Sequence, residues 1–432
     1  MKKLNLSGKR LLVLGGSNNA LDIRRYCDET GVVLLAAGHP VADRMAAVAD
    51  EKYEADIYKR DQIKQVAIDS KADGIFVCGN ENVISCVIDV TEDLNLPFYT
   101  DRKVWDAVMN KRLFKQACKK HGVPTMEDFF IDEKDLDRAA NFLDYPVVIK
   151  PVDNCGSTGV MKCEKAEDFK QLYMFAKENS RRGEVTVENY VDGFEIVVYY
   201  TFCDGKVTLS SMGDKYVRGD SNIFIPLSEI YAYPSQYLSK YIDEVDSNMR
   251  AMLLDLGIKN GITSMQGFVS NSKFYFFEMG YRLGGTAQYR YTEHINGINS
   301  FFMMMNLALT GHMDGYDQSL DNAYFDKPCC TLTLMSKGGT VGKIVGIEEA
   351  QKLPEVIYLE NRYKVGDTIK ATRTVSQFHV RLFLVAESPE RMREVINYLQ
   401  DTIMAYDING ESMLITHFDT NKLVFDRKMK KQ

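Results

Sequence analysis

The residues best suited to chemistry begin with a lysine at the end of an apolar run. Val147, Val148 and Ile149 read as a short buried strand that delivers Lys150 to a stretch holding Gly156, Ser157, Thr158 and Gly159. The two glycines let backbone N–H groups approach an anion, and the two hydroxyls add short donors. A buried ammonium without a partner costs on the order of several kcal/mol, so Lys150 calls for an anion. A nucleotide phosphate would serve. A glycine-rich hairpin with the lysine reaching out to solvent is the other reading, and this stretch alone leaves both open. Lys111 raises the same question, because it lies seven residues after Val104 on an apolar helix stripe. Downstream, Gln266 and Glu278 flank a hairpin that turns at Ser270-Asn271-Ser272 and folds them back side by side. Oxygen donors on adjacent strands suit Mg²⁺ shared between protein and phosphates, and an ion pair with Arg282 is the plainer role for Glu278.

Those residues need elements to position them. Leu11-Leu12-Val13-Leu14, a helix carrying Ala20, Ile23 and Cys27, and the run after Gly31 spell β–α–β, the opening of a parallel sheet. Gly15-Gly16 lacks the full G-x-G-x-x-G and reads as a tight turn rather than a dinucleotide site. A third strand at 74–79 leads into a helix with Ile84, Val87, Ile88 and Thr91 on one face, and the segment 94–99, broken by Pro97, leads to a last strand. Residues 1–102 are thus expected as a small α/β domain. Ligands of such sheets lie beyond the carboxyl ends of the strands, which puts Glu81 at a rim; in isolation a solvated acid or a helix cap is the plainer reading.

One helix is expected over 103–121, with Val104, Ala107, Val108, Phe114 and Cys118 as its stripe and Gly122-Val123-Pro124 as its stop. An amphipathic helix follows the glycine stretch. Residues 185–198 place a polar joint between two strands, 208–212 form another strand, and 243–256 a helix. From Leu332 onward, a turn into a strand at 338–344, the run 365–369, a strand at 380–386 and a helix over 389–399 describe a β-rich α+β unit without a catalytic cluster.

The 432 residues allow two to four structural units. With 45% apolar and 26% charged residues the composition is that of an ordinary globular chain, and a net charge of −7 argues against general nucleic-acid binding. No run of about 18 apolar residues suggests a membrane span, and the basic start lacks the apolar region of a signal peptide. Nine scattered cysteines with no C-x-x-C fit a reducing cytoplasm.

The order of these residues resembles the ATP-grasp superfamily. A lysine lies on a helix before the glycine loop, a lysine enters the loop, a Glu-x-x-x-x-Gly-x-Glu joint follows at 188–195 (Glu188, Gly193 and Glu195), and a glutamate at a hairpin end precedes an arginine and two glycines. The resemblance lies with its carbamoyl-phosphate synthetase-like, biotin-carboxylase-like and amino-acid-ligase-like branches. It implies an α/β and α+β fold: a Rossmann-like pre-ATP-grasp domain over 1–102, an ATP-grasp domain over 103–312 with a mobile lid at about 126–182, and a C-terminal β-rich α+β domain over 325–432. It further implies that Lys111 and Lys150 hold phosphates, that Gly156, Ser157, Thr158 and Gly159 close over them, and that Glu188 precedes a base-reading stretch of Asn189, Tyr190 and Val191. Glu195 would take the ribose, Gln266 and Glu278 the metal, and Arg282 and Lys215 the transferred phosphate. Gln266 stands where an acid is commoner, Gly280 where the family has asparagine and Tyr281 where it has proline.

The implied activity is an ATP- and Mg²⁺-dependent carboxylate–amine ligase, with Mn²⁺ as an alternative ion, that forms an acyl phosphate and releases ADP and phosphate. A synthetase phosphorylating bicarbonate and a degenerate ATP-binding module are its rivals. The expected partners are a small-molecule carboxylate and amine, with a homodimer as the assembly and neither nucleic acid nor membrane involved.

Overall fold

The computed structural model describes residues 4–129, 131–152, 159–180, 182–218, 228–372 and 377–426. Among the expected site residues, Gly156, Ser157 and Thr158 lie outside them.

The described residues build four sheets. The first is parallel, in the order Glu51–Glu54, Val33–Gly38, Arg10–Leu14, Gly74–Val77. The strands Val33–Gly38, Arg10–Leu14 and Gly74–Val77 are near-continuous apolar runs because helices cover both faces, while the edge strand Glu51–Glu54 is polar. The helix Ala20–Thr30 buries Ile23 and Cys27, and the helix Glu81–Leu94 buries Ile84, Val87, Ile88 and Thr91. The strand expected after 94–99 does not form; residues 95–99 run irregularly around Pro97, which has no N–H to give a ladder.

The expected helix over 103–121 is two helices, Arg102–Met109 and Lys111–His121. Asn110 breaks it in an extended conformation, and its side chain caps the second helix by accepting from the N–H groups of Arg112 and Leu113. Lys111 therefore opens a helix instead of riding mid-stripe. The helix expected over 243–256 begins earlier: Leu238–Tyr241 runs through a π turn, Ile242–Asp246, into Ser247–Asp255.

An antiparallel sheet of Asp128–Phe129, Val185–Asn189, Val147–Pro151 and Met161–Cys163 carries Lys150. It has its own small core, formed with Phe169, Tyr173 and Ala176 of the helix Ala166–Glu178. The largest sheet has eight antiparallel strands: Lys273–Gly280, Gly261–Ser270, Phe194–Cys203, Lys206–Val217, Ser228–Tyr233, Cys329–Met335, Phe378–Val385 and Val356–Asn361. It runs without interruption through the divide expected near residue 325, because Tyr233 pairs with Cys329 and Ile230 with Leu332. A last, three-stranded sheet joins Thr368–Ile369, Gly339–Val345 and Met404–Asp407.

Candidate active site

The hairpin brings Gln266 and Glu278 into direct register. Asn271 and Ser272 at its tip take positive φ, and an irregularity at Gln266/Gly267 keeps the two oxygen-bearing side chains opposed. Glu278 faces a cleft of about 170 Å³ that is also lined by Lys111, Glu81, Val152, Arg182 and Met279. Burial pulls the Lys111 ammonium below its ordinary pKa, against the pull of the Glu278 carboxylate. Lys111 Nζ lies 3.4 Å from the Pro151 carbonyl, which ties the opening of its helix to the end of the Lys150 strand.

Lys150 is 6% exposed, and its partner within the protein is Glu188, with Nζ 2.8 Å from Oε1. The same oxygen lies 2.7 Å from Nζ of Lys115, which also donates to the Met126 carbonyl at 3.2 Å. Glu188, 1% exposed, thus sits between two ammonium groups. Burial acts to raise its pKa, but the two lysines outweigh it and hold the carboxyl below the usual range. Lys115 had no part in the sequence reading. Its position one turn after Lys111, between Phe114 and Cys118 on the buried side, was the available signal.

The stretch expected to read a base edge has two of its N–H groups engaged: Asn189 donates to the Glu127 carbonyl at 3.1 Å and Tyr190 to the Pro146 carbonyl at 3.2 Å. Lys162 stands 4.2 Å over the Tyr190 ring, and Val191 follows the strand end. Glu195 and Lys215 are register partners on neighbouring strands and form an ion pair of 2.5 Å. Burial acts to lower the Lys215 pKa, yet Tyr231 and Glu195 raise it overall. Glu195 is therefore bound to Lys215 rather than standing apart from it.

Arg282 does not pair with Glu278. Its Nε donates to Glu81 Oε1 at 2.7 Å and its Nη1 to the Leu283 carbonyl at 3.1 Å. This defines the partner of Glu81 at the rim of the parallel sheet. Tyr281, where proline was the family's residue, is fully buried: its hydroxyl donates to the carbonyls of Asn260 (2.6 Å) and Tyr99 (3.0 Å), while the Tyr99 hydroxyl donates back to the Tyr281 carbonyl at 3.0 Å. Gly280 has φ outside the left-handed region, and a Cβ there would come 2.9 Å from Ser264 Oγ.

The donor set can be tested against Mg²⁺. Among the described residues no three His, Cys, Asp or Glu side chains gather into a cage. Gln266 and Glu278 offer two oxygens on adjacent strands, and Mg²⁺ usually completes its shell with phosphate oxygens and water. The residues fit a shared ion of that kind.

Residues 143–289 match the family described as the ATP-grasp domain. Over 144 residues the chain is 32% identical to the ATP-grasp enzyme fsqD of Aspergillus fumigatus, covering 32% of this chain and 25% of that one. It is 24% identical over 216 residues to a D-alanine–D-alanine ligase of Francisella tularensis subsp. novicida, covering 49% of this chain and 66% of the ligase. The chain thus spans less than two thirds of either relative. The crystal structure of an L-amino acid ligase from Bacillus licheniformis superposes with a TM-score of 0.74 at 19% identity, covering 93% of this chain and 99% of that one. Residues 143–289 thus match the ATP-grasp domain, and the chain shares the fold of that ligase.

Proposed function

We propose that the chain is an ATP- and Mg²⁺-dependent ligase that joins a carboxylate to an amine and releases ADP and phosphate. The observation that carries this reading is a cleft lined by both Lys111 and Glu278, the latter in register with Gln266. A triphosphate and its ion would lie there. Lys111 and Lys150 would take phosphate oxygens, with Glu188 holding Lys150 in place; Glu195 would face the ribose. With two N–H groups of 189–190 already engaged, the base edge would fall to the carbonyls of that stretch and to Val191. Mg²⁺, held by Glu278 and Gln266, would supply positive charge against the phosphates.

In this reading a carboxylate oxygen of the substrate attacks the γ-phosphorus and the bond to ADP breaks. The amine then attacks the carbonyl carbon, phosphate leaves with the bonding pair, and the ammonium nitrogen gives its proton to solvent. The protein's part is positioning and charge compensation. Arg282, aimed by Glu81, would meet the transferred phosphate, with Lys215 behind it. The three-unit division at about 102 and 312–325, the lid at 126–182 and a cytoplasmic location belong to the same proposal; among the described residues no helix is long and apolar enough to cross a membrane.

The test is an ADP-release screen with MgATP against amino acids, dipeptides and small organic acids. ADP should appear only when a carboxylate and an amine are present, and Glu278→Gln should remove it. ADP release indifferent to every added acid, or no ATP binding, would defeat the proposal.

A further inference from the structure

Around the rings of Tyr358 and Phe378 stand the guanidinium groups of Arg44, Arg290, Arg362 and Arg381 and, among the described residues, the carboxylates of Asp22 and Glu360. Both carboxylates are already engaged. Asp22 is paired with Arg290, which lies 3.4 Å over Tyr358. Glu360, 7% exposed, is 3.1 Å from Arg44.

Arg381 is the member of this group that reaches the loop after Arg282. It lies on the strand Phe378–Val385, between Thr333 and Glu360 on the flanking strands. Its Nη1 donates to the Gly285 carbonyl at 3.1 Å, and its guanidinium stands 4.4 Å from the Phe378 ring centre. Among the described residues it has no ion pair within 4.0 Å, and it keeps partial contact with solvent. Burial pulls its pKa below the ordinary arginine value; Glu360 and Tyr231 oppose that pull, and Arg362 beside the same ring adds to it. Gly285 lies three residues after Arg282, so their Cα atoms are at most about 11 Å apart. Tyr231, register partner of Lys215, acts electrostatically on both Lys215 and Arg381.

We infer that Arg381 anchors a second, non-reacting carboxylate of the substrate, which makes the substrate class a short dicarboxylic acid, with or without an amino group. The inference rests on the ligase reading for the reacting end at Arg282. One N–H of Arg381 is spent on Gly285, and the fork that remains matches the two oxygens of a carboxylate. The loop from Arg282 to Gly285 sets the short span between the two acid groups.

The experiment uses the full chain loaded with MgADP and measures binding of succinate, glutarate, L-aspartate and L-glutamate by calorimetry. Butyrate, succinamate, L-asparagine, L-glutamine and glycerol 3-phosphate are run beside them. At least one diacid should bind ten or more times tighter than its monoacid or monoamide. Arg381→Gln should remove that difference, Arg381→Lys should keep part of it, and MgADP affinity in both variants should stay within twofold. Diacid binding that Arg381→Gln leaves unchanged overturns the inference. So does equal binding of diacid and monoamide, binding by glycerol 3-phosphate alone, or no diacid binding. ADP release, measured in parallel with MgATP and an amine, judges the ligase reading separately. Release that ignores Arg381 leaves the ligase without this anchor; a diacid held by Arg381 with no release leaves the anchor without the ligase.

Discussion

One oxygen of Glu188 serves two lysines, Lys150 at 2.8 Å and Lys115 at 2.7 Å. One of these ammonium groups is the expected phosphate ligand, and the other never leaves the protein interior. In the proposed reading the carboxylate would therefore link the stability of the fold to the orientation of a phosphate-holding cation.

Glu188→Gln should destabilise the protein by about 3–5 kcal/mol, because it leaves two buried ammonium groups without a counter-charge. Denaturant unfolding checks this. The same carboxyl has a folded pKa below its unfolded value, so its contribution is present above about pH 4.3 and is lost as the pH falls through the folded pKa.

Lys150→Ala should behave differently. Glu188 keeps Lys115, so folding should survive, while ATP binding should weaken by about 2–5 kcal/mol through unpaired phosphate charge. Calorimetric titration with ATP reads this out; unchanged affinity would remove Lys150 from the nucleotide site.

The single carboxylate at the hairpin has a consequence for metal dependence. Gln266 is neutral and Gly280 offers no side-chain oxygen, so one Mg²⁺ should bind tightly with ATP and a second weakly. Gly280→Asn should lower the Mg²⁺ concentration for half-maximal ADP release. Its backbone is outside the left-handed region, and the crowding atom is a rotatable hydroxyl, Ser264 Oγ. A natural protein already saturated without excess Mg²⁺ would refute the weak second ion.

Asp214 should give the stability profile an opposite slope at higher pH. Burial raises this carboxyl to about 7, although Ser235 and Gln236 donate to it. A folded pKa above the unfolded value of about 3.9 means that stability is full below that pH and declines as pH rises through 7, by at most about 4 kcal/mol. Asp214→Asn should flatten the decline between pH 4 and 7 in thermal unfolding series.

The small sheet that carries Lys150 has a core of its own, which suits a lid. Addition of ATP and Mg²⁺ should slow hydrogen exchange in Val147–Pro151 and Met161–Cys163, and unchanged exchange with nucleotide bound would count against closure.

What could be read from the sequence was what local rules encode. The facing of Gln266 and Glu278 followed from counting residues on either side of a polar turn, and the parallel sheet from uninterrupted apolar runs. The break at Asn110 was legible in principle, since asparagine is a strong cap, but an apolar stripe on both sides masked it. The pairing of Glu188 with Lys115 and Lys150 was not legible: the three residues come from two strands and a helix, and nothing local states which strand lies beside which. Arg282 was left between Glu278 and a phosphate, and only the approach of the parallel sheet reveals Glu81 as its partner.

The eight-stranded sheet also limits how this chain could be rearranged. Its seam joins Ser228–Tyr233 to Cys329–Met335, and Ile230 and Ala232 share one apolar cluster with Cys330, Leu332 and Leu384. The last hundred residues are therefore not a cassette. Exchanging them for the corresponding part of another protein would bare a strand edge and split a core at once, so an acceptable replacement must reproduce the register at Tyr233/Cys329 before it supplies any chemistry of its own.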